Sequence, residues 1–361
     1  MNSQIENFLR IYLTEGVGFK FLKKFYEAFG NFGGELEEKL NRFGKLYPNL
    51  KTKVETVKRA IKGGEQDKVL ELLNKRGITA IPFFDKNFPE ELERLDLGVA
   101  ALFVIGEFTF GDGFSLVGTR KASVEGRMKA FEFASELVKN GFTVISGGAE
   151  GIDRAAHEGA ISSGGRTGVV LGEGILNFLK RDSRFAEKIL QNGGFLISQF
   201  PPLTKAAKWS FPRRNGLIAV LGVYGTMVVE APERSGALIT ADYADRLGRK
   251  IFAYIGCTSS PSFAGCVRLV EDCKARLSVS PSKLLGFLRD FSKGLPSFEN
   301  KPSSETENER DKLLGFLAEK PRTFDELLAL GGFEEEELFT LLAELEIEGK
   351  ISAEGGFYKL I

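Results

Sequence analysis

Between residues 114 and 254, short continuous apolar runs alternate with stretches of helical periodicity, and this alternation restricts the fold more than any other feature of the chain. The runs are Phe114–Val117, Thr143–Ser146, Thr167–Leu171, Phe195–Ser198, Thr226–Val229 and Lys250–Tyr254. Between them, Val124–Asn140, a segment from about Ile152, Ser183–Gln191, a segment near Asn215 and Ala237–Leu247 place apolar residues at helical spacing. A strand exposed on one face alternates apolar and polar residues, whereas these runs are apolar throughout, so both faces are expected to be buried. Strand and helix in regular alternation predict an α/β fold, a mostly parallel sheet with helices on both faces. Right-handed crossovers then bring every strand-to-helix loop to one edge of the sheet.

The flanks read differently. Residues 1–75 are predicted helical, with Phe19, Leu22, Phe25 and Phe29 at helical spacing and Gly16-Val17-Gly18 between two helices. Such a hairpin can present backbone amides to a phosphate, although a plain turn explains it as well. The runs within 77–84 and 101–108 are expected to be strands preceding the main sheet, which belongs to a domain at 76–285. Residues 286–305 are polar and carry Pro, Ser and Gly, as a linker does. Residues 306–361 predict three short helices, at Asp311–Glu319, Thr323–Ala329 and Glu334–Gly349, and two strands around a Glu-Gly-Gly turn, a winged-helix pattern.

Charge is distributed unevenly. The 361 residues sum to a formal net charge of zero, yet residues 301–361 hold 7 Lys and Arg against 15 Asp and Glu. The tail is therefore −8 and the rest of the chain +8, so the basic character lies in the body. Cys257, Cys266 and Cys273 match no zinc spacing and are expected to be reduced thiols. The first residues show no basic-then-apolar signal pattern. The longest uncharged stretch, Ile251 to Val267, falls short of the ~20 residues a spanning helix needs. The expectation is a cytoplasmic protein with no membrane partner.

In open parallel sheets ligands sit beyond the carboxyl ends of the strands. The loops there are SLVGTRKAS, ISGGAEGIDRAAH, LGEG, SQFPPLTKAAKWSFPRRN and VVEAPERSGALIT. Their glycines, among them Gly118, Gly147 and Gly236, let backbone approach a ligand, and helices beginning beside them offer unpaired amides to anions. Thr119, Ser146 and Ser235 add hydroxyl donors; Arg120, Lys208, Arg213 and Arg214 add positive charge; Asn215 adds an amide. Trp209 and Phe211 add aromatic faces. This donor set suits a phosphate backbone whose bases can stack. His157, the single histidine, falls inside a helical stretch with no nucleophile beside it, so packing or capping is expected. Asp153 is expected to cap amides at a helix start. Glu230, at a strand end, is placed either to orient a loop arginine or to act on a ligand. No metal cluster, nucleophile–base pair or triphosphate loop is legible, so neither a cofactor nor a metal is expected.

These residues also form a set of motifs. Gly118-Thr119-Arg120, SGGAEGIDRAAH at 146–157, Phe211 to Asn215, and Val228–Ala231 followed by Ser235–Ala241 occur in order. In this the chain resembles the DNA-processing DprA (Smf) family. The resemblance implies a Rossmann-like domain that binds single-stranded DNA, with an N-terminal helical domain of SAM or helix-hairpin-helix type and a winged-helix tail. It implies a homodimer that is not an enzyme, protects incoming strands in natural transformation and helps load the RecA recombinase. Carried over by position, Thr119 and Arg120 hold a phosphate with the amides of Gly118 and Gly147 nearby, and Arg214 and Asn215 line the same pocket.

The sequence departs from the family pattern at three places. Gly216 stands where the family has the second arginine of Arg-Asn-Arg, and Glu150 where it has an arginine after Ser-Gly-x-Ala. Ser198-Gln199-Phe200-Pro201 replaces a Ser-Glu-Tyr-Pro stretch. Two positive charges are lost or reversed at the expected pocket rim, which predicts weaker, less salt-sensitive binding than in relatives. In the tail, Glu334–Glu337, Glu344, Glu346 and Glu348 make the expected groove-entering helix acidic, which argues for a protein contact or an intramolecular lid over duplex DNA. A competing reading is a nucleotide-cleaving phosphoribohydrolase of the lysine-decarboxylase-like family. Tyr224-Gly225-Thr226 and Glu230 fit it faintly, without the Pro-Gly-Gly that precedes them there. A non-catalytic nucleotide sensor is a third.

Overall fold

The computed structural model describes residues 2–289, 304–333, 338, 341–342, 345–346, 350–354 and 357–360. The chain divides into two compact units, Met1–Pro296 and Ser297–Ile361.

Five helices open the first unit: α1 (Ser3–Tyr12), α2 (Phe19–Phe29), α3 (Leu36–Leu46), α4 (Lys51–Gly63) and α5 (Glu65–Lys75). Helix α2 turns Phe21, Leu22 and Phe25 inward and ends on Gly30, whose φ of 69° closes it in a left-handed cap. Phe8, Phe25, Phe32 and Phe43 are completely buried. They share one core with Phe103, Leu171 and Leu196 of the sheet, so these helices cover part of a sheet face.

The sheet has nine strands: β1 (Thr79–Pro82), β2 (Ala101–Gly106), β3 (Gly113–Val117), β4 (Thr143–Ser146), β5 (Thr167–Leu171), β6 (Phe195–Ser198), β7 (Thr226–Val228), β8 (Ile251–Ala253) and β9 (Arg276–Leu277). Their order is β1-β2-β6-β5-β4-β3-β7-β8-β9. All pairings from β6 to β9 are parallel. The early runs do not merely precede this sheet. β2 joins it antiparallel to β6, and β1 pairs antiparallel with β2. Strand β9, unforeseen in the sequence because it is two exposed residues long, lies beyond β8.

The connecting helices are α6 (Glu91–Arg94), α7 (Val124–Lys139), α8 (Ile152–Ser162), α9 (Ile175–Arg181), α10 (Ser183–Gln191), α11 (Ser210–Leu221), α12 (Gly236–Arg246), α13 (Ala264–Glu271) and α14 (Pro281–Arg289). Every residue of β3 is buried. Phe114 and Leu116 pack with Phe133, Leu137 and Ala156 of α7 and α8, while Val117 packs with Leu217 and Ile218 of α11 on the opposite face. This two-sided burial explains the continuous apolar run. Helix α14 extends into the segment expected to be linker, because Leu284, Leu285 and Leu288 bury one of its faces; residues 290–303 lie outside the described residues.

In the second unit, α15 (Ser304–Glu319), α16 (Phe324–Gly331), β11 (Ile351–Glu354) and β12 (Phe357–Leu360) form the expected winged-helix elements. A short β10 (Arg322–Thr323) adds a third strand in the order β10-β12-β11. Thr323 and Glu326 close a reciprocal capping box at the start of α16. Residues 338, 341–342 and 345–346 are helical, and Leu338, Leu341, Leu342 and Leu345 point into the core of this unit. Of the acidic positions expected on that helix, Glu334–Glu337, Glu344 and Glu348 lie outside the described residues.

Candidate nucleic-acid interface

Strand β3 is the pivot of the sheet. From it the chain runs one way through β4, β5 and β6, and later the other way through β7, β8 and β9. The loops after β3 and β7 therefore part from each other, leaving the crevice where ligands collect in open α/β sheets. A cleft of about 320 Å³ lies there, lined by Gly118, Thr119, Arg120, Arg214, Asn215, Ser235 and Gly236 among others. Seven of the eleven residues expected in the site thus meet in one place.

The loop after β3 is fixed from below. Thr119 donates its amide to the carbonyl of Glu230 at 2.7 Å, and its own carbonyl accepts from the Ile152 amide at 3.3 Å. A Cβ on Gly118 would collide with the Ile152 side chain, and one on Gly151 with the carbonyl oxygens of Thr119 and Arg120. Gly151 also has φ of +89°, a conformation few side chains tolerate. Glu230 is fully buried and receives the Ser123 amide and hydroxyl, both at 2.9 Å. It pairs with no arginine among the described residues and lines neither the cleft nor its neighbours: its carboxylate anchors the end of the 118–123 loop, where the Ser123 hydroxyl in turn caps α7.

The two arginines of the cleft differ in kind. Arg120 is exposed, its guanidinium 4.8 Å from the ring centre of Phe211, and it makes no ion pair among the described residues. Arg214 is 5 % exposed and donates to the carbonyls of Gly147, at 2.7 Å, and Val170. Burial pushes its pKa down to about 10; Asp153 opposes that shift and Arg120 adds to it. Arg214 therefore braces the ends of β4 and β5 and presents only its edge to the cleft. Asn215 plays a similar part, accepting from Arg214 Nε at 3.1 Å and donating to the Gly236 carbonyl at 2.9 Å.

The remaining expected residues are dispersed. Gly147 lines an adjoining recess of about 250 Å³ that shares Arg120, Phe211 and Arg214 with the cleft. Ser146 is fully buried and donates to the Leu116 carbonyl at 2.6 Å, so its hydroxyl holds β4 to β3. Arg213 points to the other side of α11, donating to the Leu97 carbonyl and stacking near Trp209. Lys208 is exposed just before α11 and lines neither the cleft nor the recess. Asp153 does not cap its own helix; it accepts from the Ala149 amide at 3.4 Å in the preceding loop. Burial raises its carboxyl pKa, against the pull of Arg214.

His157 is completely buried, with Nδ1 2.7 Å from the Thr167 hydroxyl. That hydroxyl gives its single proton to the Val144 carbonyl, so Nδ1 must be the donor and Nε2 the bare nitrogen. Burial pushes the imidazole pKa down to about 3, helped by Arg154 and Arg214. Packing, the expected role, accounts for it.

The departures from the family pattern separate as well. Glu150 stands at the recess mouth, 82 % exposed and 3.9 Å from Arg154. Gly216 is not on the rim: it is buried within α11, and a Cβ there would press on Leu97, away from the cleft. Helical geometry puts it on the face opposite that expected from its place in the motif. Sequence reasoning also missed how the cations divide. Arg154 and Arg181 are held by Asp182 and Glu173, both at 2.7 Å, whereas Arg120, Lys121 and Arg234 make no ion pair among the described residues. No run of residues signals that difference.

A Rossmann-like sheet with a crevice at its switch point, walled by glycine backbone and arginine, defines an α/β protein whose site suits phosphate-bearing ligands. Comparison with known proteins narrows this. Residues 79–289 match the family model of DNA recombination-mediator protein A, and residues 299–356 match the DprA winged helix domain. The chain belongs to this DprA (Smf) family of DNA recombination mediators. It is 34 % identical over 290 residues to protein Smf of Escherichia coli K12, covering 78 % of this chain and 77 % of that one. It is 33 % identical over 207 residues to DNA processing protein DprA of Bacillus subtilis, covering 56 % and 69 %. The X-ray structure of DprA from Streptococcus pneumoniae superposes with a TM-score of 0.64 at 25 % identity, over 79 % of this chain and 98 % of that one. DNA processing protein A from Helicobacter pylori, whose structure gives insight into a unique single-stranded DNA binding mode, shares the fold with a TM-score of 0.52 at 22 % identity, over 59 % and 96 %.

Proposed function

We propose that this chain is a recombination mediator whose switch-point cleft holds the backbone of single-stranded DNA. The observation that carries this is Arg120: an exposed guanidinium without a carboxylate partner among the described residues, laid over Phe211 at the mouth of a cleft built from glycine backbone. One phosphate oxygen pair can take both guanidinium N–H groups, with the Thr119 hydroxyl beside it. Lys121 and Arg234 line the cleft with it, without ion pairs among the described residues, and supply the diffuse field that a longer strand needs. Phe211 offers a face for a base. A phosphate-and-stacking site of this kind selects the flexible strand over the duplex, whose bases are already stacked. Within the same reading the protein acts in the cytoplasm as a homodimer and helps load RecA on the strand it holds.

Fluorescence anisotropy of labelled single-stranded and duplex oligonucleotides at two salt concentrations tests the cleft. The expected result is preferential single-strand binding that Arg120→Ala weakens about tenfold or more while the melting temperature stays unchanged. Equal binding of both DNA forms, or an unaffected Arg120→Ala protein, would count against it.

A further inference from the structure

Helix α11 has two working sides. Arg214 faces the cleft, and its neighbour Arg213 faces a separate open groove of about 1110 Å³ between the α1–α2 hairpin and the sheet body. Lys20, Lys23, Lys24 and Lys53 line this groove with Arg213, against only Glu27 and Asp96. Lys23 is engaged by Glu93 at 3.4 Å, and Lys24 lies over Tyr47, but Lys20 and Lys53 are exposed and make no ion pair among the described residues. Gly16-Val17-Gly18 brings the start of α2 to the same wall, where Gly18 supplies no side-chain cap for the first helical amides. On the far wall Trp209 is 54 % exposed. In the floor Gln199 is 4 % exposed, and its Oε1 has no hydrogen-bond partner.

We propose that this groove is a second contact for single-stranded DNA, continuing the strand past the cleft over the N-terminal end of α11. Each part matches one feature of such a strand. Lysines along one wall neutralise successive phosphates. The uncapped amides of α2 suit an anion. Trp209 provides a stacking face for a base, and the unpartnered Gln199 Oε1 in the floor is an acceptor left for a donor of the ligand. Trp209 and Arg213 are one turn or less along the chain from Phe211 and Arg214, so the strand would round the N-terminal end of α11 to pass from the cleft to the groove. The inference extends the cleft reading to a longer footprint but stands on different residues.

Trp209 is the single tryptophan of the chain, so its emission reports on the groove alone. Full-length protein is titrated with a short oligothymidylate that fills only the cleft and with a longer one that reaches the groove, following both anisotropy and tryptophan fluorescence. The longer strand is expected to quench Trp209 and the short one to leave it unchanged. The Lys20→Glu/Lys53→Glu variant, altered only at exposed positions, is expected to lose the quenching and about tenfold in affinity for the longer strand, with a salt slope lower by roughly 0.7 per lost contact. Its affinity for the short strand is expected to stay as in the parent. Unquenched Trp209 with the longer strand bound, or unchanged affinity after charge reversal, overturns the proposal and leaves the groove to another ligand, such as an acidic protein segment. Arg120→Ala separates the two sites. If it leaves short-strand affinity intact, the cleft reading fails, while quenching by the longer strand still decides the groove.

Discussion

The guanidinium of Arg120 lies exposed 4.8 Å from the ring centre of Phe211, while that of Arg214, only slightly farther at 5.9 Å, is buried. Two arginines thus lie against one aromatic ring, one available to a ligand and the other used up in holding the sheet edge together. The distinction gives the two residues opposite mutational signatures.

Replacing Arg214 by Met removes the donor to the Gly147 and Val170 carbonyls and leaves buried Asp153 without the cation that favours its charged form. Each orphaned buried group costs about 1–3 kcal/mol. The Arg214→Met protein is expected to unfold at clearly lower urea concentration than the parent, and Arg120→Ala at the same one. Chemical denaturation of both, side by side, checks this; equal midpoints for parent and Arg214→Met would refute the bracing role.

Gly151→Ala places a methyl group against the Thr119 and Arg120 carbonyls at a φ of +89°. Strain of this kind costs of order 1–3 kcal/mol. Because the clash is with the loop that carries Arg120, single-strand affinity is expected to fall together with stability. Calorimetry paired with anisotropy reads both, and loss of stability at full affinity would mean that the loop's shape is irrelevant to binding.

Glu150 stands exposed at the recess mouth, 3.9 Å from Arg154. Glu150→Arg substitutes a cation for an anion beside the proposed strand. Tighter single-strand binding at low salt is expected, with the salt slope steeper by roughly 0.7. An unchanged slope would place the strand's path away from this recess.

His157 gives the acid limb of the stability curve. Its folded pKa, near 3, lies below the ordinary imidazole value of 6.5, so between these values the unfolded chain binds a proton that the folded chain refuses. Stability is complete above pH 6.5 and falls as pH drops toward 3, by at most about 1.4 kcal/mol per pH unit. His157→Phe is expected to flatten this limb. Urea midpoints from pH 7 to pH 4 for both proteins check it, and parallel curves would show that other groups dominate.

Much of this was legible in the amino-acid sequence. The parallel sheet followed from runs such as Phe114–Val117, apolar throughout because helices cover both faces of β3. The place of Gly118-Thr119-Arg120 at the end of β3 was legible because the apolar run stops at Gly118 and a helical pattern starts soon after. Only the tertiary structure decided which way each side chain faces and what it meets there. Residues 213, 214 and 216 are neighbours on α11, and a rotation of about 100° per residue sends Arg213 to the groove, Arg214 under the cleft and Gly216 against Leu97. Ser146 and Glu230 carry the chemistry of ligand contacts and spend it on Leu116 and Ser123, partners 30 and 107 residues away. Periodicity is a local property of the chain, and so it was written in the sequence. The pairing of a buried polar group depends on which distant segment packs against it, and that is settled only when the sheet closes.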